Sequence, residues 1–150
     1  MINIIRTNSE DKDFLALVQE LDLDLSIRDG NDRAFYNQFN KLDKIKHVII
    51  AYENDIPVGC GAIKEYSTDT MEIKRMFTPL NKRGNGIASQ VLSELEKWTL
   101  ELQYSKCILE TGKRQPEAIA LYKKNGYRII PNFGQYEKIE NSVCFEKILK

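Results

Sequence analysis

Apolar and polar residues recur along this chain with two different periods, which predicts both helices and strands. An apolar run at residues 2–6 predicts a first strand, and apolar spacings of three to four residues after it predict a first helix, which the polar cluster at 28–32 ends. A second short helix is predicted at Ala34–Asn40. From His47 the period becomes two, so strands are predicted at 47–53, 57–66 and 71–78, joined by polar turns.

Helices and strands alternate in the second half of the chain. Pro79 ends the third of these strands, and a helical spacing of apolar residues predicts a long helix from Ile87 to Leu102. A strand at 106–111, a helix at 117–125 capped by Gly126, and strands at 127–130 and 142–149 follow. The order β-α-α-β-β-β-α-β-α-β-β predicts an α/β fold in which a single domain, residues 1–150, has a mixed sheet of about six to seven strands flanked by helices.

Charge and composition narrow the class of protein. Among 150 residues, 22 Lys and Arg balance 22 Asp and Glu, which excludes a broad basic surface for nucleic acid. The longest apolar run, Val48–Tyr52, is far shorter than the roughly 20 residues of a membrane span, and residues 1–14 do not resemble a signal peptide. We therefore expect a cytoplasmic protein with no nucleic-acid or membrane partner.

The cysteines and the single histidine make a metal site unexpected. Cys60, Cys107 and Cys144 are far apart, and each lies in an apolar run, which favours buried, reduced thiols. His47 is alone and begins a strand, so a structural role is expected for it.

A glycine-containing loop, Arg83-Gly84-Asn85-Gly86-Ile87-Ala88, lies directly before the long helix. Unpaired N–H groups at a helix N-terminus favour a phosphate or pyrophosphate, and two glycines let the main chain approach such a ligand closely. These six residues alone leave open a second interpretation, in which the glycines only satisfy the backbone angles of a tight helix entry.

Two other phosphate-binding motifs fit the sequence of this loop less well. A Walker loop requires Gly-Lys-Ser/Thr, which is absent here, and a dinucleotide fingerprint requires a third glycine where Ser89 stands. Five residues also separate Thr78 from Gly84, although Glu110 suits a ribose-binding acid. The sequence therefore disfavours a nucleotide-binding redox domain but leaves it as an alternative.

Three segments in the right order resemble the GNAT N-acetyltransferase superfamily. Residues 83–88 match its Arg/Gln-x-x-Gly-x-Gly/Ala acetyl-CoA motif, residues 72–77 resemble the preceding strand, and residues 110–112 with 115–127 resemble its second conserved block. The resemblance implies acetyl-CoA as cofactor and acetyl transfer to a primary amine of a small molecule by direct attack in a ternary complex. A protein or peptide amine as acceptor, and a non-catalytic acyl-CoA-binding module, remain as alternatives; a homodimer is possible in this family.

The resemblance also implies two catalytic residues. Tyr122 occupies the position of a general acid for the CoA sulfur, since a phenol can donate a proton while staying uncharged near neutral pH. Glu72 occupies the position of a base for the amine, acting directly or through water. From spacing alone, Tyr122 would be a core aromatic residue and Glu72 a solvated strand residue.

The remaining site residues follow from the same resemblance. Backbone N–H groups at 76–78 are expected to stabilise the oxyanion and bind the pantetheine arm, and Gln115 replaces an asparagine that contacts this arm in many members. The predicted cofactor-binding residues are Met76, Phe77, Thr78, Arg83, Gly84, Asn85, Gly86, Ile87, Ala88, Ser89, Gln115 and Tyr122. The predicted acceptor-site residues are Tyr36, Phe39, Phe133 and Tyr136, which otherwise serve as packing residues.

Overall fold

The computed structural model describes residues 1–29 and 45–150, and these residues form a mixed α/β fold as predicted. The strands are β1 (Ile2–Thr7), β2 (His47–Glu53), β3 (Ile56–Ser67), β4 (Thr70–Phe77), β5 (Lys106–Gly112), β6 (Arg128–Ile130) and β7 (Ser142–Ile148). The helices are α1 (Lys12–Asp29), α2 (Ile87–Glu101) and α3 (Pro116–Lys124). The helix predicted at Ala34–Asn40 lies outside the described residues.

The described strands make one sheet in the order β1-β2-β3-β4-β5-β7-β6. Only β4 and β5 pair in parallel, and their ladder ends after three residue pairs, at Glu72 and Ile108. The other neighbouring strands are antiparallel. Beyond Glu72, therefore, the two strands no longer pair with each other, and the sheet opens in its middle.

A β-bulge interrupts β4 beside this opening. The β3–β4 register passes from Cys60–Phe77 to Ala62–Lys74, so that Gly61 lies opposite two residues, Arg75 and Met76. Arg75 takes the left-handed conformation, with a φ of 59°. The extra residue reverses the alternation of faces along the strand, and Phe77 consequently packs on the α1 side of the sheet.

Helices cover both faces of the sheet. Asp11 caps α1, because its carboxylate accepts hydrogen bonds from the amides of Asp13 and Phe14 at 2.9 and 3.2 Å. The apolar side of α1 packs on β2 and β3, whereas α2 and α3 pack on the opposite face. A Cβ at Gly61 would lie 2.5 Å from Met76 Sδ and 2.8 Å from Leu95 Cδ1, so this glycine lets α2 approach the sheet closely.

A polar-aromatic cluster joins β1 to α2. The guanidinium of Arg6 lies 4.7 Å from the centre of the Trp98 ring and makes ion pairs with Glu94 and Glu101. The His47 ring meets the same indole edge to face at 4.8 Å, which is consistent with a structural histidine. This cluster stabilises the packing of α2 on the sheet.

The three cysteines are free and buried, as predicted. In the described part of the chain, no helix combines the length and the apolar character that crossing a membrane requires. The same residues contain no group of three or more His, Cys, Asp or Glu side chains arranged to hold a metal ion.

Candidate active site

Two cavities adjoin where β4 and β5 diverge. The larger, about 350 Å³, lies between the end of β4, the start of α2 and α3. The smaller, about 110 Å³, lies between β4, β5 and α1. Five residues line both of them, and these are Leu21, Met76, Gln115, Ala118 and Tyr122. The shared residues place the two cavities in direct contact.

The glycine-containing loop forms one end of the larger cavity. Gly84 and Gly86 have φ angles of 84° and 77°, a conformation that glycine adopts without steric cost. A Cβ at either position would have no other atom within 4 Å, so the loop borders open space. Gly86 also caps α2, whose first amides and positive dipole end are directed towards this space.

Arg83 brings a positive charge to the same cavity and is held from three sides. Its Nε donates a hydrogen bond to the carbonyl oxygen of Thr78 at 2.8 Å. Its Nη2 lies 3.6 Å from the Asp24 carboxylate, and its guanidinium lies 5.8 Å from the centre of the Phe77 ring. With Lys82 beside it, the loop combines backbone donors with fixed cations, which suits a phosphorylated ligand.

The larger cavity fits an extended ligand with phosphates at one end. The predicted cofactor-binding residues that line it are Met76, Phe77, Thr78, Arg83, Gly84, Gly86, Ile87, Ala88, Ser89, Gln115 and Tyr122. Asn85 does not line it; its side chain is exposed and donates a hydrogen bond to the carbonyl oxygen of Lys82 at 3.1 Å. The buried Thr78 hydroxyl has no hydrogen-bond partner among the described residues, which is unfavourable unless a ligand or solvent supplies one.

Tyr122 lies at the boundary of the two cavities. It projects from α3, is buried, and packs its ring 5.8 Å from those of Tyr127 and Phe145. Burial, and secondarily the charge of Glu110, raise the pKa of Tyr122 above its ordinary value. The phenol therefore remains protonated at physiological pH and can act as a hydrogen-bond or proton donor.

Buried charges line the smaller cavity. Glu72, on β4, is 7% exposed, and Lys74 Nζ lies 3.4 Å from its Oε2. Arg75 lines the same cavity, and its guanidinium forms an ion pair with Asp22 of α1 at 3.0 Å. Both cations therefore lie against carboxylates.

A second carboxylate and a tyrosine complete this lining. Glu110, on β5, accepts a hydrogen bond from the Ser142 hydroxyl at 2.7 Å. Tyr136 is buried in the same lining, and its pKa is raised by burial first and then by the charges of Glu72 and Glu110. The two carboxylates thus act on the same phenol.

The predicted acceptor-site residues divide into three groups. Tyr136 lines the smaller cavity. Phe133 lines neither cavity; its ring packs at 5.7 Å from Tyr136 and at 5.2 Å from Tyr66, so it supports Tyr136. Tyr36 and Phe39 lie outside the described residues.

Sequence reasoning did not select several residues of the smaller cavity. The sequence offers Glu110 as a ribose-binding acid and as part of the second resembling block, with no predicted role at the acceptor site. Glu110 lies two residues beyond Ile108, the parallel neighbour of Glu72, and so shares the face of the sheet on which Glu72 lies. This spacing was the available signal. Leu21 and Leu25 are apolar positions of α1, which nothing in the sequence distinguishes from core residues.

The described residues lining the two cavities include no thiol. Burial raises the pKa of Cys60 to about 12 and that of Cys107 and Cys144 to about 11. A thiol with such a pKa is almost entirely protonated at neutral pH and is a poor nucleophile.

Comparisons with family models, with curated proteins and with solved structures agree on one family. Residues 13–127 match the model of the acetyltransferase (GNAT) family. An uncharacterised N-acetyltransferase of Bacillus subtilis, YsnE, is 36% identical over 101 residues, which are 66% of this chain and 67% of YsnE. An acyl-CoA N-acyltransferase from Klebsiella pneumoniae has a similar structure, with a TM-score of 0.83 and 28% identity over 100% of this chain and 99% of the other.

A GNAT acetyltransferase from Elizabethkingia anophelis, whose crystal structure has acetyl-CoA bound, shares the fold. Its TM-score is 0.72 at 17% identity, over 99% of this chain and 98% of the other. At this identity the likeness concerns the fold alone.

Proposed function

The chain belongs to the acetyltransferase (GNAT) family, and we propose that it transfers an acetyl group from acetyl-CoA to a primary amine of a small molecule. One observation carries this proposal: the buried phenol of Tyr122 lines both the larger cavity, which suits a phosphorylated ligand, and the smaller, charged cavity. A donor and an acceptor bound in adjoining cavities can react directly in a ternary complex.

The larger cavity is the proposed cofactor site. Acetyl-CoA, when bound there, supplies the acyl thioester. The amides at the start of α2, with Gly84, Gly86 and Arg83, would hold its pyrophosphate. Because the ladder of β4 with β5 ends at Glu72, the strand edge at residues 76–78 has room for an extended arm that pairs with the main chain.

Tyr122 is the proposed general acid. The leaving thiol has an ordinary pKa of roughly 8.5, and a protonated phenol beside it can neutralise the departing sulfur. Because its pKa is raised, Tyr122 stays protonated at neutral pH and can donate a hydrogen bond to the departing sulfur. The main-chain N–H groups at residues 76–78 would stabilise the negative charge on the carbonyl oxygen.

Glu72 is the proposed residue for the amine. An alkylammonium group, with a pKa of roughly 10.4, must lose a proton before it attacks. The carboxylate of Glu72 lines the smaller cavity and can accept this proton through water or hold the amine in place. Lys74, 3.4 Å away, competes for the same oxygen, so we expect Glu72 to assist the reaction without being indispensable.

The burial and raised pKa of the cysteine thiols favour direct attack of the amine on the thioester over a route through an acyl-cysteine enzyme. All three cysteines are buried with a raised pKa, and none lines a cavity among the described residues. A covalent acyl-cysteine intermediate would require an accessible thiolate.

The experiment that tests this function measures CoA release. The pure protein is incubated with acetyl-CoA, a thiol reagent and a panel of small primary amines, and in parallel with peptides that offer a lysine or an N-terminal amine. Release with small amines supports the proposal, and release only with peptides replaces the acceptor class. CoA binding without release across both panels would assign a non-catalytic acyl-CoA-binding module.

A further inference from the structure

A side-chain hydrogen bond joins the first turn of α2 to the end of α3 beside the larger cavity. Asn125, the residue that follows α3, donates from its Nδ2 to Ser89 Oγ at 3.2 Å. The same nitrogen donates to the carbonyl oxygen of Leu121 at 2.9 Å. Because a carbonyl oxygen can only accept, this second bond fixes the amide with its nitrogen, and not its oxygen, towards Ser89.

The Ser89 hydroxyl lies at the wall of the proposed cofactor site. Ser89 is the third residue of α2 and lines the larger cavity, so it belongs to the turn whose amides would hold the pyrophosphate. Its oxygen accepts a proton from Asn125, and within the described residues no acceptor receives its own proton. The hydroxyl therefore keeps a hydrogen bond to donate at this wall.

The amide of Asn125 restricts where that proton points. A serine hydroxyl has three staggered positions, and in a helix it often donates to a carbonyl oxygen of the preceding turn. A donor that already lies against the oxygen disfavours the position in which the two hydrogens would meet. It also polarises the O–H bond, which makes the hydroxyl a stronger donor.

Resting on the proposed acetyl transfer from acetyl-CoA, we propose that Asn125 is a positioning residue, which holds the Ser89 hydroxyl as a hydrogen-bond donor to the pyrophosphate of CoA. Asn125 itself lines neither cavity. Its contribution to binding therefore passes through Ser89 and requires the hydroxyl of that residue.

A double-mutant cycle tests this dependence, with Kd for CoA measured by isothermal titration. Ser89→Ala should raise Kd by roughly 10- to 100-fold, because it removes a hydrogen bond to a charged group. Asn125→Ala should raise Kd by at least about threefold, because the hydroxyl regains its three staggered positions. The double variant should bind CoA within about 1.5-fold of Ser89→Ala, since no hydroxyl is left to position.

A purely structural role of Asn125 at the end of α3 gives a different result. Asn125→Ala would then raise Kd by the same factor whether residue 89 is serine or alanine. The carbonyl oxygen of Leu121 also accepts a hydrogen bond from the main-chain N–H of residue 125 at 3.1 Å, so the variant keeps this turn and should fold. Equal factors in both backgrounds, or a rise below about twofold in Asn125→Ala alone, would overturn the inference.

Asn132 provides the matched control. It is half-buried like Asn125, and its Nδ2 also donates to two acceptors, the carbonyl oxygens of Ile139 and Ser142, both at 3.1 Å. It lines neither cavity, so Asn132→Ala should keep Kd for CoA within about 1.5-fold. A rise as large as that in Asn125→Ala would count against a specific role of Asn125.

A second ligand identifies the phosphate, and binding separates this inference from the proposed function. Dephospho-CoA keeps the pyrophosphate and lacks the 3′-phosphate, so Ser89→Ala should raise Kd by the same factor for both ligands. A rise confined to CoA would place the hydroxyl at the 3′-phosphate and overturn the assignment. If CoA binds but no acetyl transfer occurs, the proposed function fails, and the same titrations still decide the role of Asn125. If CoA does not bind the unsubstituted protein, both fail.

Discussion

A single substitution, Gly86→Val, should affect the stability of the protein and its affinity for CoA to different extents. Its φ of 77° is a conformation that costs an L-residue roughly 1–3 kcal/mol, more for a β-branched side chain than for alanine. A Cβ there meets no atom of the protein within 4 Å, so Gly86→Val adds no steric clash to this strain. In a chain of this size, that cost lowers Tm by roughly 3–10 °C.

The affinity for CoA should change much more than the stability. The open space beside Gly86 is the proposed position of the pyrophosphate, and a branched side chain would occupy it. We expect Kd for CoA to rise at least about 100-fold in Gly86→Val, which is about 2.7 kcal/mol. Thermal melting without ligand and isothermal titration with CoA measure the two effects separately.

Gly126 provides the matched control. Its φ is 90°, and a Cβ there makes ordinary contacts, at 3.6 Å from Lys147 Cε, outside the lining of both cavities. Gly126→Val should therefore lower Tm by a similar amount while Kd for CoA stays within about threefold of the unsubstituted protein. A Kd within threefold in Gly86→Val as well would refute the placement of the pyrophosphate at this loop.

Three further predictions concern other parts of the fold. Tyr122→Phe should lower kcat more than about tenfold with little change in Kd for CoA, as measured by steady-state kinetics and by titration. Tyr127→Phe changes a buried ring outside the cavities and should keep kcat. An unchanged kcat in Tyr122→Phe would contradict the role of Tyr122 as general acid. Gly61→Ala should reduce the free energy of unfolding in urea by about 1–3 kcal/mol, because its Cβ would lie 2.5 Å from Met76 Sδ; a loss below about 0.5 kcal/mol would contradict this overpacking. Burial, and then the charge of Lys46, lower the pKa of His47, so the unfolded chain binds the proton first and the free energy of unfolding should fall as pH drops below 6.5. His47→Gln should lessen this fall between pH 7 and 5 in urea titrations, and an identical fall would exclude the linkage.

Local patterns predicted most of the secondary structure. The period of two at residues 47–53 and the turn residues Asn54 and Asp55 indicated a hairpin, and both turn residues have the positive φ of a type I′ turn, 52° and 66°. The helical spacing after Gly86 indicated α2, which ends at Glu101, one residue before the predicted end. These features depend on a few neighbouring residues, and that is why the sequence alone contains them.

The smaller cavity was harder to predict because it depends on contacts between distant segments. Glu110 and Glu72 line the same cavity because β4 and β5 are parallel neighbours, although 38 positions separate the two residues in the chain. Phe133 and Tyr136 are three residues apart and equally aromatic, yet only Tyr136 lines the cavity. The Phe133 ring instead packs against Tyr66 of β3, 67 positions earlier in the chain, which is a contact that no local pattern contains.

The bulge in β4 shows why alternation alone misplaces residues at this site. Strict alternation would put Phe77 on the face of Ile73, towards α2, and Met76 on the opposite face. The extra residue at Arg75 reverses this order, so Phe77 packs with the α1 cluster and Met76 packs against the α2 cluster while lining both cavities.

The left-handed conformation of Arg75 costs of order 1 kcal/mol, and contacts made by the same residue offset it. Its guanidinium is buried in an ion pair with Asp22, and its carbonyl oxygen accepts a hydrogen bond from Cys60 Sγ at 3.4 Å. The ion pair also ties the bulge to α1, which supplies Leu21 to both cavities. The bulge thus holds the end of β4 against α1, and these two elements lie between the proposed donor site and the proposed acceptor site. The contacts that hold them join distant segments, so no local pattern contains them.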